Sequence, residues 1–343
     1  MFLTVAIPVY NVSLYIEECL ESILKQTEKD FEIILVDDGS SDGSPAICDA
    51  FATKYPNIIR VIHKEHSGSL LTRRICLKEA KGQFIYLMDS DDKLVDENAL
   101  KKIREAVEQT GCDMVIFEAT KNKITKEPFL KLPFKHMEVF EGSKRKLIYE
   151  LFVTGTKMNY LWNKVFSREL VDFKTDYSIY KDVVCGTDTF QVIPIVSNAK
   201  KIVIIKEVYY YYRTTDGSIS RTFYKNALQS FKANNSRLLD YLNKWNMLDQ
   251  ECINYFLCKK RIYGCVGAIY RTQYSKQLLS NRNEYTEYLR TTTNDPYFKE
   301  TMSLTGLFNT KENILARFLN WGMYDAIRYL FRIRKYASKY VDR

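Results

Sequence analysis

Three carboxylates follow a short apolar segment in the first third of the chain. Residues 84–88 are apolar and lead directly into Asp89, Ser90, Asp91 and Asp92. Adjacent like charges at the end of a buried strand repel one another unless a cation lies among them. Asp89 and Asp91 would supply hard oxygen ligands, which suit Mg²⁺ or Mn²⁺ better than zinc. The pattern predicts a divalent metal site, and a solvated acidic turn before a helix is the alternative.

Two further polar clusters follow apolar segments closer to the start of the chain. Pro8, Tyr10 and Asn11 come at the end of the first segment, and the acidic run 37–44, rich in glycine and serine, follows the second. Asp, Gly and Ser are the usual turn residues, so each cluster alone could be turn chemistry. In open α/β sheets, ligands bind beyond the carboxyl ends of the strands. Three clusters at such positions therefore favour one shared ligand site.

Strand-like and helix-like patterns alternate over the first 120 residues. Apolar segments at 2–9, 31–36, 58–62, 84–88 and 114–117 predict strands, and the apolar residues between them recur with helical spacing. This alternation predicts a Rossmann-like α/β fold with a mostly parallel sheet and helices on both faces. Residues 121–222 are mixed in pattern, and residues 223–343 predict a mainly helical carboxy-terminal region. We therefore expect the chain to divide into parts at 1–120, 121–222 and 223–343.

Cysteine usage and the pattern of apolar runs indicate the cellular compartment of the protein. The eight cysteines form no CxxC pair, which predicts reduced thiols in a reducing compartment. The chain opens without the pattern of a signal peptide, and it has no run of about 18 apolar residues. We expect a cytoplasmic protein, either soluble or peripheral at the inner face of the cell membrane.

The net charge of +9 is concentrated towards the carboxyl end, where residues 301–343 contain eight Lys or Arg against three Asp or Glu. The spacing there predicts an amphipathic last helix with an apolar face of Leu315, Phe318, Leu319, Gly322, Met323, Ala326, Ile327, Leu330 and Phe331. A basic amphipathic helix can lie on an anionic membrane surface. The same stripe can equally pack on the protein's own core, and both interpretations stay open.

Together, the three clusters resemble those of the inverting family two glycosyltransferases, which have the GT-A fold. The matching motifs are Ile7-Pro8-Val9-Tyr10-Asn11, the loop at 36–44 and the DxD motif at 89–92. The resemblance is strong over residues 1–120 and looser to about residue 221. Trp162-Asn163-Lys164 and residues 212–219 are similar to segments of bacterial members that make polysaccharides and other cell-surface glycans.

The resemblance implies a nucleotide-sugar donor, usually carrying UDP, bound at the first two clusters. Tyr10 would stack on the base, a contact worth about 1–3 kcal/mol. Asp38 would accept a hydrogen bond from the uracil N–H, and Asp37 would support the loop or the ribose. The family's donor-binding set also covers the positions of Pro8, Asn11, Gly39 and Ser90.

The resemblance also assigns the phosphate side of the donor. Asp89 would face the ribose and help to hold the metal, and Asp91 would bind the Mn²⁺ or Mg²⁺ that bridges the diphosphate. Arg73 retains the arginine of a family motif, although its neighbours Thr72 and Arg74 depart from it. Its guanidinium could contact the diphosphate as a bidentate donor, and a plain surface arginine is the alternative.

The acceptor side needs a general base, because an acceptor hydroxyl must lose its proton as it attacks. Family members usually place a Glu-Asp pair at the start of a helix; here Thr187 replaces the Glu and Asp188 is retained. We expect Asp188 to be the base, with a helix N-cap as the alternative role. Asp182 is the rival base, and Trp162 belongs to the acceptor side by resemblance.

The resemblance thus predicts a metal-dependent inverting transfer from a UDP-sugar to a hydroxyl of a glycan, lipid-linked or glycoprotein acceptor. A sugar-phosphate nucleotidyltransferase is less favoured, because no glycine-rich phosphate loop follows the first strand. A non-enzymatic basic protein that binds membranes or nucleic acid is a further alternative. We expect no nucleic-acid partner, because the many tyrosines are spread through the helical region rather than interleaved with arginines. Self-association stays open.

Overall fold

The computed structural model describes residues 1–155, 158–215, 221–248, 251–303, 318–319 and 321–341. The chain forms two compact units. The sheet unit comprises Met1–Lys181 and Thr187–Thr215, and the helical unit comprises Asp182–Gly186 and Asp216–Arg343.

The described residues of the sheet unit form ten strands and six α-helices. The strands are β1 Leu3–Val9, β2 Phe31–Asp37, β3 Ile59–His63, β4 Phe84–Leu87, β5 Lys93–Leu94, β6 Met114–Thr120, β7 Pro128–Leu130, β8 Glu138–Glu141, β9 Lys164–Ser167 and β10 Lys201–Tyr211. The helices are α1 Ile16–Leu24, α2 Ser44–Lys54, α3 Ser69–Glu79, α4 Ala99–Thr110, α5 Lys146–Thr154 and α6 Thr187–Asn198.

The sheet order is β3-β2-β1-β4-β9-β6-β10-β5, with β7 beside β6 and β8 beside β10. Strand β1 pairs in parallel with β2 and β4, and β2 pairs in parallel with β3. Strands β1, β2 and β4 are mostly apolar and almost wholly buried, as expected for a parallel sheet covered on both faces, whereas β3 at the edge is only partly buried. The parallel pairing brings the carboxyl ends of β1, β2 and β4 to one edge.

The predicted α/β class is confirmed, and the sheet is mixed. Strand β9 lies between β4 and β6 and runs antiparallel to both. Strand β10 is parallel to β6 and antiparallel to β5 and β8. The prediction of a mostly parallel sheet therefore holds for the first four strands in the order, and the chain after residue 120 supplies antiparallel strands.

The helical unit contains α7 Ala227–Lys244, α8 Glu251–Tyr270, α9 Lys276–Ser280, α10 Arg282–Asn294, α11 Pro296–Ser303 and α12 Tyr324–Val341. Its buried apolar cluster includes Ile262, Tyr285, Leu289 and Phe298. The mainly helical carboxy-terminal region is confirmed.

The predicted last helix is interrupted within its apolar face. Gly322 adopts a φ of 64°, and α12 begins only at Tyr324. Ile327 and Phe331 are buried in the cluster of the helical unit, whereas Leu330 is about half exposed. Packing on the protein's own core thus explains part of the stripe, and Leu315 lies outside the described residues. Within the described ranges, no helix is both long enough and apolar enough to cross a membrane.

Candidate active site

The loops after β1, β2 and β3 meet at the sheet edge and form what we call the β1–β2 corner (residues 10–11, 37–42 and 63–68). Asp38, buried at the end of β2, accepts hydrogen bonds from the backbone N–H groups of Ser67 at 2.8 Å and Gly68 at 2.9 Å. The Lys64 ammonium also donates to this carboxylate. Burial alone would raise the pKa of Asp38, but Lys64 and the Ser67 amide outweigh it and hold the pKa below its usual range.

Asp37 and Asn11 organise the same corner. Asp37 accepts from the Ser40 N–H at 3.1 Å and pairs with His63 Nδ1 at 3.0 Å. Asn11 has a positive φ of 52°, and its side-chain oxygen accepts from the Ser41 N–H at 2.8 Å. The polar residues after β1 are thus bonded directly to the loop after β2.

Tyr10 and Gly39 lie against His66 in this corner. The Tyr10 ring stacks on the His66 ring with centroids 4.4 Å apart, and 46% of Tyr10 is exposed. Gly39 has a φ of 71°, and a Cβ placed there would lie 3.0 Å from the His66 backbone nitrogen. Pro8 lies in β1 opposite Val36 of β2.

The loop after β4 forms the second part of the site, the β4 corner (Asp89–Asp92 with Arg213 and Thr215). Burial, followed by the charge of Asp89, raises the pKa of Asp91 to about 6. The Thr215 hydroxyl donates to this carboxylate at 3.2 Å. Burial and then the charge of Asp91 raise the pKa of Asp92 to about 9. Burial and crowding of the three carboxyl groups therefore disfavour their charged forms in this corner.

Asp92 is anchored by the end of β10. The Tyr210 hydroxyl donates to one Asp92 oxygen at 2.6 Å, and the Arg213 N–H donates to the other at 2.6 Å. The Asp89 N–H donates to the same Tyr210 hydroxyl at 3.3 Å. Ser90, between them, is buried.

The residues of the β4 corner fit a hard divalent cation by their chemistry. Asp89 and Asp91 offer carboxylate oxygens, and crowding of like charges is what a cation would relieve. Among the described residues, no group of three or more His, Cys, Asp or Glu side chains converges as a complete metal site. The protein would thus supply one or two ligands, which is the usual arrangement when Mg²⁺ keeps waters and binds substrate phosphates.

Arg73, in α3, joins the β4 corner to the start of α6. Its Nη2 donates to Asp89 at 2.8 Å, and its Nη1 lies 2.6 Å from an Asp188 oxygen. Nη1 also donates to the Thr187 hydroxyl at 3.1 Å. Burial alone would lower the pKa of Arg73, but Asp188 and Asp89 raise it. Arg73 is therefore a buried bridge between two carboxylates rather than a surface arginine.

Asp188 lies in the first turn of α6, and about a fifth of its side chain is exposed. Burial raises its pKa, Asp89 adds to the rise, and Arg73 opposes it. The backbone N–H of Leu161, close to the carboxylate, acts to lower its pKa. The structure thus brings Asp188, Thr187, Arg73 and Asp89 into one connected group.

Trp162 and Asp182, which were also expected on the acceptor side, have different surroundings. Trp162 is only 1% exposed and stacks between Tyr210, at 4.6 Å between centroids, and Tyr160, at 4.7 Å. Any influence of Trp162 on an acceptor must pass through its neighbours. Asp182 belongs to the helical unit, where its side chain is exposed and its backbone carbonyl accepts from Asn226 at 2.8 Å.

Residues 4–172 match the family model described as glycosyl transferase family 2. The chain belongs to glycosyl transferase family 2. EpsH of Bacillus subtilis, a protein named as a glycosyltransferase, is 26% identical over 92% of this chain and 91% of its own length. The glycosyltransferase GlyG of Streptococcus pneumoniae is 44% identical over 33% of this chain, and the aligned part spans only 38% of GlyG.

Solved structures share the fold of this family 2 glycosyltransferase. Residues 1–349 of Staphylococcus aureus TarS, in complex with UDP-GlcNAc, superpose with a TM-score of 0.56 at 18% identity. The match covers 98% of this chain and 92% of that one. It supports the GT-A assignment for the fold.

Two residues of this glycosyltransferase site, Tyr210 and Lys64, were not singled out from the sequence, and Arg213 was noted only as part of the segment 212–219. Tyr210 and Arg213 hold Asp92, and Lys64 holds Asp38. Tyr210 and Arg213 are far from the DxD motif in sequence, and the antiparallel pairing of β10 with β5, which places Tyr210 opposite Leu94, brings them near it. Lys64 directly follows β3, the strand beside β2. Its positive charge could therefore have been predicted to lie near the acidic loop that follows β2.

Proposed function

We propose that this glycosyltransferase moves a sugar from a UDP-sugar, with Mn²⁺ or Mg²⁺, to a hydroxyl of a glycan, lipid-linked or glycoprotein acceptor, with inversion at the anomeric carbon. The process served would be the synthesis of bacterial surface polysaccharide or glycoconjugate. The observation that carries the proposal is the buried Arg73 bridge between Asp89 of the DxD motif and Asp188 at the start of α6. It links the residue expected at the donor to the residue expected at the acceptor.

The β1–β2 corner would bind the nucleotide. Tyr10 is exposed enough to stack on a base, and Asn11, Asp37 and Gly39 fix the loop beneath it. Asp38 already accepts from two backbone N–H groups and Lys64, so a bond from a uracil N–H requires the Lys64 ammonium to shift. Because TarS has been solved with UDP-GlcNAc, that sugar nucleotide is the first donor to test.

The β4 corner would bind the diphosphate and the cation. Asp91 and Asp89 would hold the ion, with Ser90 packed between them. A bound Mn²⁺ or Mg²⁺ neutralises charge on the departing UDP. Arg73 would add positive charge on the same side while keeping Asp89 oriented.

Asp188 would act on the acceptor. Its Oδ takes the proton of the acceptor hydroxyl while that oxygen forms a bond to the anomeric carbon and the bond to UDP breaks. Attack from the face opposite UDP inverts the configuration. A pKa raised by burial makes the carboxylate a stronger base than a solvated aspartate.

We place the enzyme in the cytoplasm, at the inner face of the membrane where a lipid-linked acceptor would be presented. Support comes from the exposed side chains of Trp321, Met323, Tyr329 and Leu330 beside the basic residue Arg332. Such a surface would favour anionic lipid.

UDP release from a panel of UDP-sugars tests the proposal. With Mn²⁺ or Mg²⁺, we expect release from one donor and its loss in EDTA. Asp188→Asn should still bind UDP but turn over about 10²-fold to 10⁴-fold more slowly, and Asp182→Asn should keep its turnover. An inactive Asp182→Asn beside an active Asp188→Asn would show that the base is wrong, and no release or UDP binding across the panel would refute the UDP-sugar donor.

A further inference from the structure

Lys164 is a fully buried lysine at the first position of β9, next to the candidate site. Buried lysines are rare unless their ammonium groups are paired, because taking the charge out of water is costly. The Lys164 Nζ donates to the Tyr160 carbonyl at 2.5 Å and to the Asn163 side-chain oxygen at 2.8 Å. Its ammonium therefore holds the turn at 160–163 from the inside.

That turn is fixed to the sheet at its other end. Asn163 Nδ2 donates to the Phe117 carbonyl of β6 at 3.2 Å, and the Phe117 N–H donates to the Asn163 carbonyl at 3.1 Å. The Lys164 N–H closes the turn on the Leu161 carbonyl at 3.0 Å. Leu161 thus has its backbone set by contacts on both sides.

The Leu161 backbone N–H lies close enough to the Asp188 carboxylate to lower its pKa. Asp89, Arg73 and Asp188 form a connected group of alternating charge. Lys164, on a fourth segment, lies near enough to Asp188 for its charge also to lower that pKa. Burial lowers the pKa of Lys164 to about 7, and Asp188 opposes the fall, as expected when the two groups sense each other.

We propose that Lys164 is a positioning residue for Asp188: it fixes the turn that places the Leu161 backbone N–H beside the Asp188 carboxylate, and it supplies a second positive charge near this carboxylate. The inference rests on the proposed function, in which Asp188 is the base. Arg73 orients Asp188 from the donor side, and Lys164 orients it from β9. A displacement of about 1 Å of a catalytic group can cost about 10²-fold in rate.

A double-mutant cycle on UDP release from UDP-GlcNAc with Mn²⁺ tests this role. Lys164→Met keeps the aliphatic length and removes the ammonium. We expect kcat to fall about 10-fold to 100-fold, with KM for UDP-GlcNAc within about 3-fold. If Lys164 works through Asp188, the variant with both Lys164→Met and Asp188→Asn should be no slower than Asp188→Asn alone.

Lys260→Met is the matched control, because Lys260 in α8 is the other described lysine whose pKa burial lowers, to about 8. It should leave kcat unchanged, and its thermal unfolding midpoint reports the stability effect of removing a buried ammonium. If Lys164→Met lowered kcat multiplicatively on the Asp188→Asn background, the role would be structural and the inference would be refuted. An unchanged kcat in Lys164→Met would also refute it. A fully active Asp188→Asn would instead overturn the proposed base.

Discussion

Asp38 and Asp92 are both buried aspartates that follow strands of the parallel part of the sheet, β2 and β4, yet their pKa values move in opposite directions. In the β1–β2 corner, Asp38 faces Lys64 and two backbone N–H groups, and the pKa falls. In the β4 corner, burial and then the charges of Asp91 and Asp89 raise the pKa of Asp92 to about 9. The same residue type therefore builds a self-contained loop in one corner and a cluster of crowded carboxyl groups in the other.

The difference shows which corner needs a partner from outside the chain. The β1–β2 corner satisfies its carboxylates internally, so its folded form is stable without ligand. The β4 corner would be relieved by a cation, as a metal-dependent transferase requires. The following substitutions test this difference between the two corners.

Asp91→Asn should have the largest effect, and it should act on activity. It removes a proposed metal ligand, so we expect UDP release with Mn²⁺ to fall about 10²-fold to 10³-fold. The thermal unfolding midpoint without metal should stay the same or rise, because one of the crowded charges is gone. Asp176→Asn, at the N-cap of an exposed short helical turn, is the control and should keep its activity. Full turnover in Asp91→Asn would exclude the metal role.

Asp38→Asn should act on stability instead. The change leaves the Lys64 ammonium and at least one backbone N–H without the carboxylate that accepts from them. Breaking a buried ion pair by removing one partner costs about 3 kcal/mol. Urea unfolding at pH 7 would measure the loss of stability. An unchanged free energy of unfolding would show that the Asp38 carboxylate does not stabilise the corner.

Gly39→Ala should have a smaller effect on the same corner. The alanine would have to adopt a φ of 71° with its Cβ 3.0 Å from the His66 nitrogen, and we expect a loss of about 1–3 kcal/mol. Gly111→Ala is the control, because it has a φ of 64° and no neighbouring atom within 4 Å of its Cβ. Equal losses in the two variants would mean that contact with the His66 backbone adds nothing.

His63 should give the smallest effect, visible as a pH dependence. Hydrogen bonds to Asp37 and then Asp49 raise the pKa of His63. Its contribution to stability is therefore fully present below the unfolded pKa of about 6.5 and is lost as pH rises through the folded pKa. His63→Gln should flatten this part of the stability profile between pH 6 and 8. A profile unchanged by His63→Gln would contradict the bridge between Asp37 and Asp49.

The parts of the fold that could be predicted are those that depend on a short stretch of sequence. Strands β1, β2 and β4 follow from short apolar runs, and their parallel pairing brings the polar clusters together at one edge. Insertion of β9 between β4 and β6 could not be predicted, because it depends on pairing between residues far apart in sequence.

The contacts of the site were harder to predict than its residues. Asp188 and Arg73 were both singled out, but only the packing of α3 and α6 reveals that they touch. The burial of Lys164 runs against the usual preference of lysine for the surface, and nothing in its spacing reveals it. Trp162 was expected near the acceptor, and its burial follows from aromatic stacking that sequence does not specify.

The central claim, that the β4 corner needs a divalent cation with the nucleotide, is tested most directly by thermal unfolding with Mn²⁺ and UDP. A ligand that binds only the folded state stabilises it by an amount that grows with the logarithm of the ratio of ligand concentration to Kd, and the unfolding midpoint rises accordingly. We predict that Mn²⁺ and UDP together raise the midpoint of the wild type by several degrees (about 1–3 kcal/mol) and that of Asp91→Asn by much less. Equal shifts in the two proteins, or no shift in the wild type, would contradict the account.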